Sequence, residues 1–503
     1  MESWLEPLHD APGMRAIDAW AISDRGIPSL ELMEAAGSAL ATAAEQAALE
    51  GPIRIVCGKG NNGGDGLVAA RLLADWGHQA EALLLWPRDE LSADAAANLA
   101  RLADDAVREL DVGAVGEALA GSGAVVDAIF GTGFEGAPRD PAATAIEAIN
   151  ACDAPVVAAD IASGVDGSTG EVAGVAARAA STVAFHTAKV GHWVRPGKDH
   201  TGELSVAPIG IPDGAGMRPA AGLIDSVVLR EAPRRSAGST KFSSGQVLVV
   251  GGSRGLTGAV CLAAGAAIRC GAGYATAAVP ADLEPIFEVK LTEVMTRGFD
   301  AAEGRLGAGD ADAIAEAAER AAAVVLGPGM GRDGATLALA HALAERIEAP
   351  LLIDADGLAA FNEDLEALAS RGAPTVLTPH EGEMGRLLGR ESSEVAARRA
   401  GAASEAAARS GAIVVLKGDD TLVAEGERMA LSRGGAPALA TAGTGDVLSG
   451  TVGALLARGM EPFAAVCAGV EAHRRAGRIA GERVGADSVI ASDVIDALPE
   501  ALA

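Results

Sequence analysis

With 503 residues, 49% apolar and 3% aromatic, the chain is too long for one ordinary core and predicts two or three soluble domains built mainly from Ala, Val, Leu and Ile. Its formal net charge of −28 argues against nucleic acid or an anionic membrane surface as a partner. A nucleotide stays possible, since it needs only a local nest of N–H groups and a lysine.

The five cysteines (Cys57, Cys152, Cys261, Cys270, Cys467) are scattered and form no CxxC pair, which argues against a disulfide framework or a zinc site. The eight histidines show no ligand spacing. No basic-then-apolar leader opens the sequence and no apolar run approaches a membrane span, so a cytoplasmic protein is expected.

Residues 12–50 carry two apolar stripes at helical spacing, Met14, Ile17, Trp20 and Ile22, then Leu30, Leu32, Met33 and Leu40, separated by a turn at Gly26–Ser29. Both read as core-facing helix. Ile53–Cys57 predicts a buried strand, followed by Gly58-Lys59-Gly60-Asn61-Asn62-Gly63-Gly64-Asp65-Gly66 and a helix from Leu67 to Trp76. Strand, glycine loop and helix in that order bind phosphates at the carboxyl edge of a parallel sheet. The match to GxGxxG is weak by itself. The oxygens of Asn61, Asn62 and Asp65 suit a hard monovalent cation or a sugar hydroxyl better than a bare pyrophosphate, and a tight surface turn is the bland alternative.

The pattern recurs twice. The strand Ala124–Phe130 holds Asp127 and runs into Gly131-Thr132-Gly133; the strand Pro155–Ile161 carries Asp160 and leads to Ala162-Ser163-Gly164. A buried charge is costly unless paired, so Asp127 needs a partner, and a cation would serve.

Turn-formers at residues 212–222 predict a linker. A second α/β pattern follows, with strands running into Gly251–Gly258, Gly327–Gly331, Asp354–Gly357, Thr378–Glu383 and Lys417–Thr421. Last comes Thr441-Ala442-Gly443-Thr444-Gly445-Asp446, a glycine turn opening an apolar helix. The free N–H groups of such a first turn favour an anion. Asp446 would repel a phosphate, which suits a base that takes a proton from an attacking hydroxyl, although an acid in a first helical turn is also common. Lys417 with this turn makes a kinase-like phosphate site, and the lack of GxxxxGK[ST] excludes a P-loop. On composition alone His380 reads more readily as a core histidine than as a ligand contact.

The chain resembles the bifunctional NAD(P)H-hydrate repair enzymes, an epimerase domain joined to a dehydratase domain. The matching stretches are Met14 through Asp18, Leu32 through Gly37, Asn61 through Gly66, Asp127 through Gly133 and Asp160 through Gly164 in the first half. In the second they are Gly327 through Gly331, Asp354 through Asp356, Thr378 through His380 with Glu383, Val415 through Gly418 and Gly443 through Gly450. The resemblance implies two α/β domains, a Rossmann-like three-layer sandwich over 1–214 and a ribokinase-like one over 222–503. The first would interconvert the R and S hydrates of NADH or NADPH. The second would use ADP or ATP, with Mg²⁺, to phosphorylate the ring hydroxyl, and loss of phosphate would restore the double bond.

By the same resemblance, K⁺ falls on Asn62, Asp127 and Ser163. The hydrate meets Asn61, Asn62, Gly63, Gly64 and Asp65, the loop 131–137 with Gly131, Thr132 and Gly133, and Asp160 as a catalytic residue. In the second half the hydrate falls near Gly329, His380 and the catalytic Asp446. The nucleotide falls near Lys417, Gly418, Asp419, Asp420, Thr421, Gly443, Thr444 and Gly445. A homo-oligomer is expected. The chain departs from the family pattern at Ala162, where a proline is usual, at Gly435–Leu439, and at Lys241-Phe242. Two other classes compete: a small-molecule kinase, which leaves the first half unexplained, and a non-catalytic binding role for residues 1–214, against which the retained Asp160 weighs.

Overall fold

Short apolar strands, each feeding a glycine-rich turn, assemble in the computed structural model into two separate sheets; the structure describes residues 2–300 and 303–503. The chain divides into two compact units, Pro7–Gly222 and Leu223–Ala503, and the second also takes Glu2–Glu6. The expected extents, 1–214 and 222–503, differ from these chiefly at that opening segment. Its Trp4, 2% exposed, packs in the core that holds Val249 and Phe463, with the Trp4 and Phe463 rings 6.3 Å apart. Glu2 pairs with Arg428 at 3.1 Å, and Glu6 pairs with Arg433.

In the first unit the sheet order is Val107–Glu109, Ala80–Leu84, Ile53–Cys57, Ala124–Ala128, Val156–Ala159, Ser181–Phe185, Glu203–Ala207, all parallel. Ile53, Ile55 and Cys57 face one core and Val56 the other, so the sheet is buried on both faces. Chain order reverses between Ile53–Cys57 and Ala124–Ala128, which puts a crevice at their carboxyl ends. This is the Rossmann-like arrangement.

The helix after Ile53–Cys57 starts at Asn61, not at Leu67. The glycines that suggest a loop are there for close packing: a Cβ on Gly63 would lie 1.9 Å from the Gly58 carbonyl oxygen. Tertiary contact overrides their poor helix propensity. Asn61–Asp65 therefore form the helix's first turns.

The second unit has a mostly parallel sheet running from Met295–Phe299 through Tyr274–Pro280, Gln246–Val250, Ala323–Leu326, Leu351–Ile353 and Thr375–Leu377 to Ile413–Leu416. Leu422–Glu425 and Arg428–Leu431 continue it antiparallel. Val247 and Val249 sit in one core, whereas Leu248 and Val250, also buried, point to the opposite face. Among the described residues no helix is long and apolar enough to cross a membrane.

Candidate active sites

Asp160 ends the strand Val156–Ala159 with φ of 64°, a left-handed conformation that costs a non-glycine residue about 1–2 kcal/mol. The neighbours that hold it there explain the strain. Its Oδ1 accepts from the Lys189 ammonium and from the Phe185 N–H at 3.1 Å; its Oδ2 accepts from the Thr132 hydroxyl and from the Thr132 N–H at 3.2 Å. Burial works against the charge, but Lys189 and these donors outweigh it and hold the carboxyl below its usual range.

His192 braces the same turn. Its Nδ1 accepts the Lys189 N–H at 3.0 Å, so its Nε2 carries the proton and donates to the Asp160 carbonyl at 2.9 Å. Burial, helped by Lys189, pushes His192 down to about 4, so it stays neutral.

A cavity of about 680 Å³ opens at the switch point of the sheet. Asn61, Asn62, Asp65, Gly131, Thr132, Gly133 and Asp160 line it, together with Asp18. Gly63 and Gly64 do not line it: they pack against Gly58 and Met33. Lys189 and His192 were not foreseen. They lie past the strand Ser181–Phe185, and the only signal was a lysine shortly after a strand end, as at Lys417.

Asp127 does not face the cavity. It is fully buried, and it accepts from Ser163 Oγ at 2.6 Å, Ser163 N–H at 2.8 Å and Ile129 N–H at 3.4 Å. The partner it needs is thus partly supplied by protein; burial still raises its carboxyl against these bonds. Nearby groups are hard oxygens: Ser163 Oγ also takes the Phe130 N–H, and a Cβ on Gly131 would lie 3.2 Å from Asn62 Oδ1. The buried Asn62 Nδ2 has no hydrogen-bond partner. Such a set fits K⁺ rather than a transition metal.

In the second unit, Lys417 stands at the end of Ile413–Leu416 and donates to Asp354 Oδ1 at 2.9 Å, with Glu383 at 3.7 Å. Ser449 donates to Asp354 Oδ2 at 2.7 Å. Burial disfavours the Asp354 charge, but Lys417 and Ser449 hold its carboxyl below the usual range. Desolvation likewise opposes the Lys417 charge, and Asp354 and Glu383 more than restore it.

The helix Thr444–Ala457 opens on Gly443, whose φ of 90° suits glycine, and no side chain caps it. The Thr444 N–H is taken by the Thr441 carbonyl at 3.4 Å, which leaves those of Gly445 and Asp446 to an anion. The Lys417 ammonium approaches this turn, 3.6 Å from where a Cβ on Gly445 would be. Asp446 sits there half-buried, and burial, then the field of Asp354, pushes its carboxyl up to about 7.

His380 is no core histidine. Its side chain is half-exposed, and its Nδ1 caps the helix Glu381–Leu388 by accepting the Gly382 and Glu383 N–H groups at 3.0 and 3.3 Å. That leaves the proton on Nε2, and burial outweighs Glu383 to hold the ring below its ordinary pKa. Gly329 has φ of 60° and its carbonyl accepts from Ser253 at 2.9 Å. In the Lys417–Thr421 loop, Thr421 Oγ1 bonds the Gly418 carbonyl at 2.6 Å and Asp419 takes the Gly435 N–H at 2.7 Å. Asp420 is 1% exposed and ion-paired with Arg399 at 2.9 Å, so only its backbone is left for a nucleotide. Thr444 is buried, its hydroxyl spent on the Leu439 and Thr441 carbonyls at 2.8 Å.

Two α/β bodies, one with a carboxylate–lysine cavity and one with a lysine-backed anion turn beside a raised aspartate, define a two-site enzyme. The family model described as NAD(P)H-hydrate dehydratase matches residues 247–500, and that of the YjeF-related protein N-terminus matches 29–191. The chain is 39% identical to the bifunctional NAD(P)H-hydrate repair enzyme of Moorella thermoacetica, covering 98% of this chain and 96% of the relative. It is 38% identical to that of Salinibacter ruber, covering 100% and 97%. An ADP/ATP-dependent NAD(P)H-hydrate dehydratase from Bacillus subtilis, co-crystallised with ATP and Mg²⁺, is 28% identical with a TM-score of 0.47, covering 55% of this chain and 94% of that one. The chain belongs to the bifunctional NAD(P)H-hydrate repair enzyme family.

Proposed function

We infer that this enzyme repairs hydrated NADH and NADPH. Epimerisation of the R and S hydrates falls to Pro7–Gly222, and nucleotide-dependent dehydration of the S hydrate to Leu223–Ala503 with Glu2–Glu6. The observation that carries the second half is Asp446: a carboxyl lifted to about 7, at an uncapped helix start, beside a lysine. An acid there weakens phosphate binding, so its value lies in the transition state. Asp446 takes the proton of the ring hydroxyl as that oxygen attacks the terminal phosphoryl group of ADP or ATP. The N–H groups that follow Gly443, with Lys417, receive the charge that builds on the phosphoryl oxygens. Gly329 and the Nε2–H of His380 lie on the hydrate side; Gly418, Asp419, Thr421 and the Asp420 backbone lie on the nucleotide side.

No group of three His, Cys, Asp or Glu among the described residues could hold a metal ion. Mg²⁺ therefore fits as an ion carried mainly by phosphates and water, with Asp354 and Glu383 the carboxylates nearest to Lys417. When bound, Mg²⁺ would neutralise phosphate charge.

In the first unit, Asp160, locked as an anion, faces the positive charge that develops on the ring during epimerisation. Asn61, Asn62, Asp65, Gly131, Thr132 and Gly133 shape the cavity around the hydrate, with Gly63 and Gly64 holding the first turn in place. K⁺ would be held by Asn62, Asp127 and Ser163, tying the first turn of the helix Asn61–Asp75 to the strand Ala124–Ala128 and to the turn that follows Asp160.

The same reading places the enzyme in the cytoplasm, where its free thiols stay reduced, as a homo-oligomer. Ile286, Val289 and Met295, the last on the strand Met295–Phe299 at the sheet edge, give it an exposed apolar surface for self-association. Light scattering of the purified protein tests that part. The activity itself is tested by adding ADP or ATP to hydrated NADPH with the enzyme. Return of the reduced-nicotinamide absorbance is expected for both hydrates; a stable phosphorylated product would instead make it a kinase.

A further inference from the structure

Three carboxylates from three different elements meet in the cavity of the first unit, with the Lys189 ammonium bonded to one of them. Asp18 comes from the helix Ala11–Ser23, Asp65 from Asn61–Asp75, and Asp160 from the strand end; Lys189 is fully buried and bonded to Asp160. Lys189 offsets Asp160, and the apolar walls Met14, Leu32 and Phe185 leave the other two less well solvated than on an open surface. The compensation goes to Asp160, whose two oxygens already accept four bonds. An anion so satisfied is a poor carrier of protons. Asp65, almost wholly buried, is pushed well above the carboxylate range by burial and by Asp160 and Asp18. Asp18 lies between these extremes: half-buried, open to the cavity, and within reach of solvent.

We propose that Asp18 is the proton donor of epimerisation, protonating the ring hydroxyl of the bound hydrate as it leaves. The proposal rests on the epimerase reading above. Water adds to an enamine double bond with its oxygen on the carbon next to nitrogen, where positive charge is best carried. In the reverse step the nitrogen lone pair closes a C=N bond, the C–O bond breaks, and the oxygen departs as water with the Asp18 proton. The carbon is then planar. Water adding to its other face gives the other epimer, and the proton it sheds returns through cavity water to the Asp18 carboxylate. Atoms and charge balance over the cycle. Asp160 stabilises the cation and Asp18 moves the proton, two carboxylates given two roles by their surroundings. Burial and the Asp160 charge, against the pull of Lys189, place the Asp18 carboxyl at about 6, so it can both give and regain a proton near neutrality.

The charged groups around Asp18 are Asp65, Asp160, Lys189 and, one turn back on its own helix, Arg15; Lys59, Asp94 and Glu135 complete the charged wall of the cavity. The test follows R-to-S interconversion by the full chain without nucleotide, with the spontaneous rate subtracted, as a function of pH. In the natural protein the rate should fall as pH rises through about 6, because the acid form is the active one. Asp18→Asn should lower it by about 10²-fold and abolish that pH limb, while Asp18→Glu should regain part of the rate and the limb. Dehydration of purified S hydrate should be unchanged in both variants. An Asn variant within a few-fold of the natural protein, or equal loss in both variants with no pH limb in the Glu form, overturns the proposal. If the natural protein does not exceed the spontaneous rate at all, the epimerase reading itself fails, and this proposal with it.

Discussion

Lys417 donates to Asp354 at 2.9 Å and keeps charged the carboxylate that, after burial, does most to raise Asp446, while the ammonium itself pulls Asp446 the other way. The ion pair and the raised acid are therefore one device. It leaves a base poised near neutrality beside a phosphate site.

Asp446→Asn preserves shape and removes the base. Dehydration should slow by about 10²–10⁴-fold with nucleotide affinity held or improved, since a negative charge has left the phosphate's neighbourhood. In the natural enzyme the rate should climb with pH through about 7, as the Asp446 carboxyl ionises, and then level off. Single-turnover rates and nucleotide titration separate the two effects. Near-normal dehydration in the variant would remove Asp446 from the chemistry.

Lys417→Met leaves the buried Asp354 without its counter-charge, at a cost of about 3 kcal/mol near neutral pH. The sign with pH is fixed. In the natural protein Asp354 is held below its ordinary value, so its contribution is present above the usual carboxylate range and is lost as pH falls. Without Lys417 its carboxyl rises instead. The stability gap between the two proteins should thus be widest near neutrality and close in acid. Thermal unfolding at both pH values reads it directly.

Lys189→Met should slow epimerisation by about 10²-fold, because Asp160 is no longer locked as an anion facing the ring. Purified S hydrate should still be dehydrated at the ordinary rate. A variant that epimerises normally would mean that Lys189 only fills space.

Exchanging K⁺ for choline should lower both the unfolding temperature of the first unit and the epimerisation rate. Asn62→Ala should erase the difference between the two salts, because it removes one oxygen of the set. An equal response to K⁺ in the natural protein and the variant would place the ion elsewhere.

Trp4→Ala empties a large, nearly unexposed site next to Phe463 and should cost the second unit about 3–5 kcal/mol. Calorimetry should show one transition falling while the other, with epimerisation, stays in place.

The polar loops were legible because strand, glycine turn and acid follow one another within a few residues, as at Ala124–Gly133 and Ile413–Thr421. Partnerships made across the sheet were not. Lys189 reaches Asp160 from 29 positions away, and Asp420 meets Arg399 from 21, so no local pattern ties either pair. The helix start at Asn61 was hidden because its glycines look like loop until the Gly58 backbone is placed against them. Nothing in the apolar spacing before residue 12 announces that Glu2–Glu6 belongs with Leu223–Ala503.

That opening segment sets an order of assembly. Trp4 leaves the ribosome well before Phe463 is made, so their contact waits for the whole stretch between them. Holding the ends together across so long a span costs little more than across a short one, since each doubling of a loop adds only about 0.6 kcal/mol. A change within Glu2–Glu6 would consequently burden the dehydratase, encoded mostly after residue 222, and spare the epimerase that follows it directly in sequence.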